Sequence, residues 1–369
     1  VSNKSFSSNE TSRLRLWSYS GAFAAALIAT GVWYADQSRM LRAVDGLAYD
    51  VCFRLKSRFD TVPDKVVLVY CDPKQPAAGQ QPMRVLTEKL RELGAKRIAF
   101  TFRPRDVEPS SSQPTADGMV IVSHATERDP TDPRRLRLIG DDSQIDTVFP
   151  GGLVALPPTP DGVYRRQRYQ YAMGLVQVPS LETVVAQSCL PSSELPESSE
   201  YRINFRGGAG SLPHVDADDV LADNLVAEFV RGKIVLVGRR PGPASANVST
   251  PTTTALQKMS SLEFHGHAVN TLLNRRAIHG IPSTVELMIV LLLTTAALLA
   301  YQSFELRRSL LVLFGLWLAE TLAATIFLSS YNLWLPLVPM IVAQTICFAV
   351  IYQRKAGFSK GIVQQVLVG

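Results

Sequence analysis

Four apolar runs punctuate an otherwise alternating pattern of hydrophobic and polar positions. The first, Trp17 to Tyr34 (WSYSGAFAAALIATGVWY), has 18 residues without a charge. At about 1.5 Å of helical rise per residue, that length crosses a hydrocarbon core. Three more runs crowd the C-terminal part: Thr284 to Tyr301, Ser309 to Ser330 and Leu333 to Tyr352, interrupted only by Glu286 and Glu320. The first run lacks a small-x-small cleavage site followed by a mature start. Its helical pattern continues into DQSRMLRAVDGLAYDVCFRLKSRF, so it reads as an anchor and not as a signal peptide. The expected layout is therefore a short segment 1–16, a transmembrane helix 17–35, and a large domain 36–283. Transmembrane helices 284–301, 309–330 and 333–352 and a tail 353–369 follow.

Between the first and second runs the pattern changes to that of a globular α/β domain. A helical stretch to about Arg58, expected to be continuous with the first membrane helix, repeats apolar residues at Met40, Val44, Leu47, Val51 and Leu55. KVVLVYC (65–71), RIAFTF (97–102), GMVIVSH (118–124) and KIVLVG (233–238) read as buried strands, being short and rich in β-branched residues. Further strands are expected near Leu153 to Leu156, Arg168 to Leu175 and Tyr201 to Phe205. Helices are expected at Pro82 to Leu93, stopped by Gly94, at Ser180 to Cys189 and at Leu262 to Asn274. Strand–helix–strand order suggests parallel pairing. The fold class is thus an α/β domain with a mixed, partly parallel sheet flanked by helices, plus four transmembrane α-helices, one N-terminal and three C-terminal.

Charge orients this arrangement. Lys4, Arg13 and Arg15 precede the first helix, Arg307 and Arg308 fill the loop between the second and third, and Arg354, Lys355 and Lys360 follow the fourth. Basic flanks mark the cytoplasmic side, so both ends should lie inside and residues 36–283 outside. In a Gram-negative cell this is the inner membrane with a large periplasmic domain. The 46% apolar composition fits. The net charge of +6 does not signal nucleic-acid binding, because much of the positive charge flanks apolar runs and no basic stripe with interleaved aromatics occurs. Cys52, Cys71, Cys189 and Cys347 lie far apart without a CxxC pair; a Cys52–Cys71 bridge stays open, with unpaired thiols favoured. A chain that starts with Val and stops at GIVQQVLVG is expected to lack at least one natural end.

Candidate chemistry is sparse. Glu263 and His267 share a helix face at i, i+4 while His265 points away, so three metal ligands cannot converge without His124 or His214. No metal and no cofactor is expected. RGGAGS (206–211) lacks the Lys-Ser/Thr of a P-loop and reads as a turn. Pro160–Asp161–Gly162 is a turn by its own chemistry, since Pro fixes φ and Gly accepts positive φ. Arg165 and Arg166 beside it could clamp an anion, with Asp72 and Asp219 as further polar candidates for a small-molecule ligand. The alternative is that the arginines pair with Asp161, Asp72 or Asp219. No nucleophile–base pair, HExxH or paired catalytic carboxylate occurs, so an enzyme is not expected. Glu320 stands mid-span, where exposure to lipid costs several kcal/mol. It is expected to bond within the bundle, to Thr321, Thr325 or Gln344, or to contact another subunit together with Gln344.

Four segments in order resemble the CHASE type 2 domain, an extracellular sensory domain of bacterial receptors. They are LPPTPDGVYRR (156–166), YRINFRGGAGSLPHVDADDVL (201–221), GKIVLVG (232–238) and TPTTTALQKMSSLEFHGHAVNTLL (250–273). The resemblance covers roughly residues 40–276, and its layout of one outer domain between a single helix and three more is also the family's. In that family the membrane helices usually lead to a cytoplasmic cyclase or kinase. Asp72 keeps an acid usual after the first strand. Thr101 stands where an acid is common in the second strand, Pro82 and Arg84 are what remains of a Trp-Pro-x-x-Arg-like stretch, and Asn247 stands near where an Asp usually precedes Thr-Pro. The resemblance therefore implies a retained fold with a reduced acidic pocket. Two functions follow. One is the input half of a transmembrane signalling receptor. The other is a non-catalytic accessory subunit that reuses the sensory fold, meeting protein partners through its membrane helices and periplasmic domain.

Overall fold

The computed structural model describes residues 8–38, 40–57, 64–71, 82–104, 107, 119–124, 126–128, 136–138, 151–157, 159, 161–173, 176–191, 199–242, 247–254 and 256–368. The chain opens with helices α1 (Ser8–Gln37) and α2 (Arg42–Ser57). Strand β1 (Val66–Cys71), helix α3 (Pro82–Glu92) and strands β2 (Arg97–Phe100), β3 (Met119–His124) and β4 (Gly151–Leu153) follow. After them come α4 (Leu181–Gln187), β5 (His214–Asp216), α5 (Ala217–Leu221), β6 (Ile234–Arg239) and α6 (Ser261–Leu273). Helices α7 (Ser283–Ser303), α8 (Leu306–Tyr331) and α9 (Leu337–Val368) close the chain. Two compact units result: Ser57–His279, and Val1–Lys56 together with Gly280–Gly369.

The first unit is a three-layer α/β sandwich. Its six strands lie in the order β5–β1–β6–β2–β3–β4, every pairing parallel. The expectation of a mixed, partly parallel sheet is corrected: the described six-stranded sheet is parallel throughout, and antiparallel pairs exist only as short separate ribbons among the described residues, such as Arg166–Arg168 with Glu200–Arg202 and Gln170–Met173 with Val176–Pro179. A central parallel strand is buried on both faces, which is why β1 and β6 read as continuous apolar runs. Val67, Val69, Val235 and Val237 face α3 and α5, while Val66, Leu68, Ile234 and Leu236 face α4 and α6. Gly266 brings α6 close: a Cβ there would stand 2.8 Å from the Leu68 and Leu212 side chains. Arg97, almost fully buried, donates to the Ser188 carbonyl at 2.8 Å, satisfying the C-terminal cap of α4.

Several boundaries differ from expectation. The second strand ends at Phe100 and not Phe102, and the fourth covers Gly151–Leu153. The stretch expected as one strand from Arg168 to Leu175 is divided between two ribbons. At the junction Tyr169 accepts the Ser180 N–H through its own carbonyl and donates its N–H to Ser199.

The second unit contains three helices long and apolar enough to cross a membrane: Ser283–Ser303, Leu306–Tyr331 and Leu337–Ala356. The run expected as one helix from Leu333 starts later. Asn332 adopts the left-handed conformation that ends α8, Leu333–Trp334 is extended, and the helix begins after Pro336. Helix α9 then continues to Val368, past the expected end at Tyr352. Continuity of α1 with α2 is also corrected. The Ser38 hydroxyl donates to the Ala35 carbonyl at 2.9 Å and the Met40 N–H takes the same carbonyl at 3.1 Å, so the helical ladder closes before α2 begins. All four cysteines are free thiols.

Candidate functional site

Helix α6 organises the polar interior of the α/β unit. Ser260 caps it, its hydroxyl accepting the Glu263 N–H at 3.1 Å. The next turns carry Glu263, His265 and His267, all buried. As the helical spacing requires, Glu263 and His267 work on one side and His265 on the other.

On one side, the Glu263 carboxylate accepts the backbone N–H groups of Gly210 and Ser211, each at 2.9 Å, and of Leu212 at 3.5 Å. The RGGAGS loop is thus a cradle of N–H groups, and its anion comes from the chain itself. His267 sits beneath: Nδ1 accepts the Arg206 N–H at 3.4 Å, and Nε2 lies 3.2 Å from the Ser211 hydroxyl. Burial would raise the Glu263 carboxyl, but His267 and the loop N–H groups outweigh it and hold the group below its ordinary value.

On the other side, His265 Nδ1 is paired with Glu182 Oε1 of α4. The Gln167 amide donates to Glu182 Oε1 at 2.8 Å and to the Ala155 carbonyl at 3.1 Å. Gln167 Oε1 accepts the Arg168 N–H at 3.0 Å and the Tyr171 hydroxyl at 2.7 Å, so this fully buried amide has its full set of bonds. Burial would raise the Glu182 carboxyl; the neighbouring His265 and the Gln167 amide reverse that and lower it. Glu182 Oε2, His265 Nε2 and the Tyr201 hydroxyl have no hydrogen-bond partner among the described residues. The network locks α4 to α6 across the same face of the sheet.

The carboxyl edge of the sheet is a second locus. Helix α3 leaves β1 toward one face and α6 leaves the adjacent β6 toward the other, so these strand ends form a topological switch point. There Arg240 pairs with Asp216 at 2.7 Å, and the Tyr70 hydroxyl meets that of Ser260 at 2.9 Å. Burial pushes the Cys71 thiol up to about 12, which keeps it protonated and unreactive. Thr101 lies beside Gly238 and donates to the Val237 carbonyl at 3.3 Å.

The residues singled out from sequence occupy separate local settings. Arg165 donates to Asp161 at 2.7 Å, and that carboxyl, which burial would raise, is held below its ordinary value by the guanidinium and the Val163 N–H. Arg166 pairs with Glu200 across the antiparallel ribbon. Asp219 is exposed on α5, and Asp72 lies outside the described residues. Glu320 and Gln344 bond one another between α8 and α9, both buried. The described residues contain no group of three or more His, Cys, Asp or Glu side chains arranged to hold a metal ion. Sequence reasoning missed Glu182 and Gln167. The one available signal was an acid beside the apolar Val184, Val185 and Ala186 in the short helix LETVVAQ.

A family model for the CHASE2 domain matches residues 23–300. This chain belongs to the CHASE2 domain family. No curated protein matches it, and no solved structure does. CHASE2 is a sensory domain family, generally non-catalytic. Joined to three membrane-capable helices, the CHASE2 domain here fits a membrane-associated sensory input domain. Of the four segments that carry the resemblance, GKIVLVG forms the central strand β6, and Met259 to Leu273 leads into and forms α6.

Proposed function

We propose that the chain is the input half of a transmembrane signalling receptor. Residues 36–283 sense a condition outside the cytoplasm, helix 17–35 supplies a fourth span, and helices 284–301, 309–330 and 333–352 carry the signal inward. The family match over residues 23–300, together with three membrane-capable helices of which it covers most of the first, is the observation that supports this reading. Its transmission line is α6, tied to α4 by the buried Glu182–His265 pair and followed after residues 274–282 by α7. A stimulus that shifts α4 against α6 acts at the start of that connection. Such a stimulus must interact differently with two states, because equal affinity for both moves nothing. Asp72, Arg165, Arg166 and Asp219 remain the polar candidates for ligand contact. On the accessory-subunit reading Glu320 and Gln344 would meet a partner's helix; Gln344 already supplies Glu320 with a donor inside its own bundle.

The test joins a reporter cyclase after residue 369 and follows its output in cells. Output that changes with a solute outside the cytoplasm, and loses that response in Arg165→Ala/Arg166→Ala, supports the receptor. Constant output, together with stoichiometric partners in mild detergent that dissociate in Glu320→Leu, favours the accessory subunit.

A further inference from the structure

Helix α2 turns its most hydrophobic stripe away from its own packing. Tyr49, Cys52, Phe53 and Lys56 are buried, whereas Met40, just before the helix, and Val44, Leu47, Val51 and Leu55 are 42–78% exposed. At 3.6 residues per turn the two sets fall on opposite faces. Steps of four, three, four and four residues make the exposed set one continuous stripe.

The buried face fixes the height of α2 on the bundle. Cys52 lies beside Thr325 of α8, and the Tyr49 ring meets Trp334 edge-on with centroids 5.1 Å apart. Thr325 stands six residues before the end of α8 at Tyr331, about 9 Å of helical rise. Proximity to both Thr325 and Trp334 seats α2 against the Tyr331 end of α8, with the exposed stripe on the helix face turned away from those contacts. The flanking residues of α8 there, Leu322 and Ile326, are themselves apolar and exposed. The α2 stripe is therefore continuous with the surface that α8 offers to lipid.

We propose that α2 is an in-plane membrane helix, with the Met40–Leu55 stripe seated in the headgroup–acyl boundary next to the Tyr331 end of α8. Interfacial helices bury their apolar face about 5–10 Å into that boundary, the depth that contact with Thr325 sets. The membrane surface then reaches past the spanning helices to the chain segment that opens the sensory unit. Bilayer thickness or composition thereby acts directly on the entrance to that unit.

The inference rests on α8 crossing the bilayer, and its test separates the two claims. Single cysteines replace Val44, Leu47, Val51 and, as a control on α8, Leu318, in the full chain carrying Cys189→Ser; the remaining three thiols are buried. Each is nitroxide-labelled in vesicles of phosphatidylethanolamine and phosphatidylglycerol, and collision rates with oxygen and with a water-soluble nickel chelate are compared. Oxygen collisions exceeding nickel collisions severalfold at 44, 47 and 51, at a shallower depth than at 318, are expected. A lipid-exposed label at 318 with nickel-accessible labels on α2 overturns the proposal alone. Labels on α2 shielded from both reagents, with spin–spin broadening, would assign the stripe to a second copy of the chain. A nickel-accessible label at 318 would remove the span and the proposal with it.

Discussion

Replacing Glu182 by Ala should destabilise the α/β unit more than most single changes in it. The carboxylate is fully buried and serves His265 Nδ1 and Gln167 Nε2 at once. Its loss leaves two donors without an acceptor in a region where Tyr201, Tyr171 and the sheet exclude water. Breaking a buried pair by removing one partner costs about 3–5 kcal/mol. That is a large fraction of the ~5–15 kcal/mol that stabilises an ordinary domain. Amide hydrogen exchange on the full chain in detergent measures it through the core amides of β6, Val235 to Val237, which open only with the whole sheet. At ~1.4 kcal/mol per factor of ten, protection should fall about 150-fold to 4,000-fold. The pair Glu182→Met with His265→Leu should recover much of this, because an apolar replacement of both partners leaves fewer orphaned groups. A loss below about tenfold in the single variant, or strict additivity in the double, would refute the reasoning.

Val235→Asp places an unpaired carboxylate in the centre of the sheet, at a cost of several kcal/mol, comparable with the stability of the whole unit. Limited proteolysis should cut the variant rapidly within 57–279, and parent-like resistance would contradict the strand's central position. Glu263 and Glu182 are both held below their ordinary value of 4.5. Their stabilisation is therefore present above that pH and lost as pH falls through the lowered folded values. Acid titration of protection should show a slope below about pH 4.5 that flattens in Glu263→Gln; an unchanged slope would count against the cradle. Gly266→Val drives side-chain atoms into Leu68 and Leu212, so a loss of about 1–3 kcal/mol is expected from the melting curve, and a neutral result would dispute the close approach of α6.

The elements most legible in the sequence were those whose pattern is local. VVLVYC and IVLVGR carry β-branched runs buried on both sides, and α6 carries its own cap in Ser260. Strand order was not legible, because the insertion of β6 between β1 and β2 depends on pairings across more than a hundred residues. The break after Gln37 is closed by bonds of Ser38 and Met40 to the Ala35 carbonyl within an otherwise helical pattern. The interior network had no local signature: Glu182 and His265 are 83 residues apart, and each reads alone as an ordinary helix residue. Glu263 was legible as sharing a helix face with His267, but not its acceptance of the N–H groups of Gly210 and Ser211, more than fifty residues away. Arg165 had its partner within four residues, and the alternative of pairing with Asp161 could be read directly from PDGVYRR.

A sensory unit on one side of the membrane and a tail on the other is most directly tested by impermeant thiol labelling in intact cells. The full chain, with its native cysteines replaced, carries one new cysteine at Ser110 or at Ser359. Labelling at position 110 without permeabilisation, and at 359 only after it, is the predicted result. Equal labelling of the two in intact cells, or the reverse order, would contradict the account.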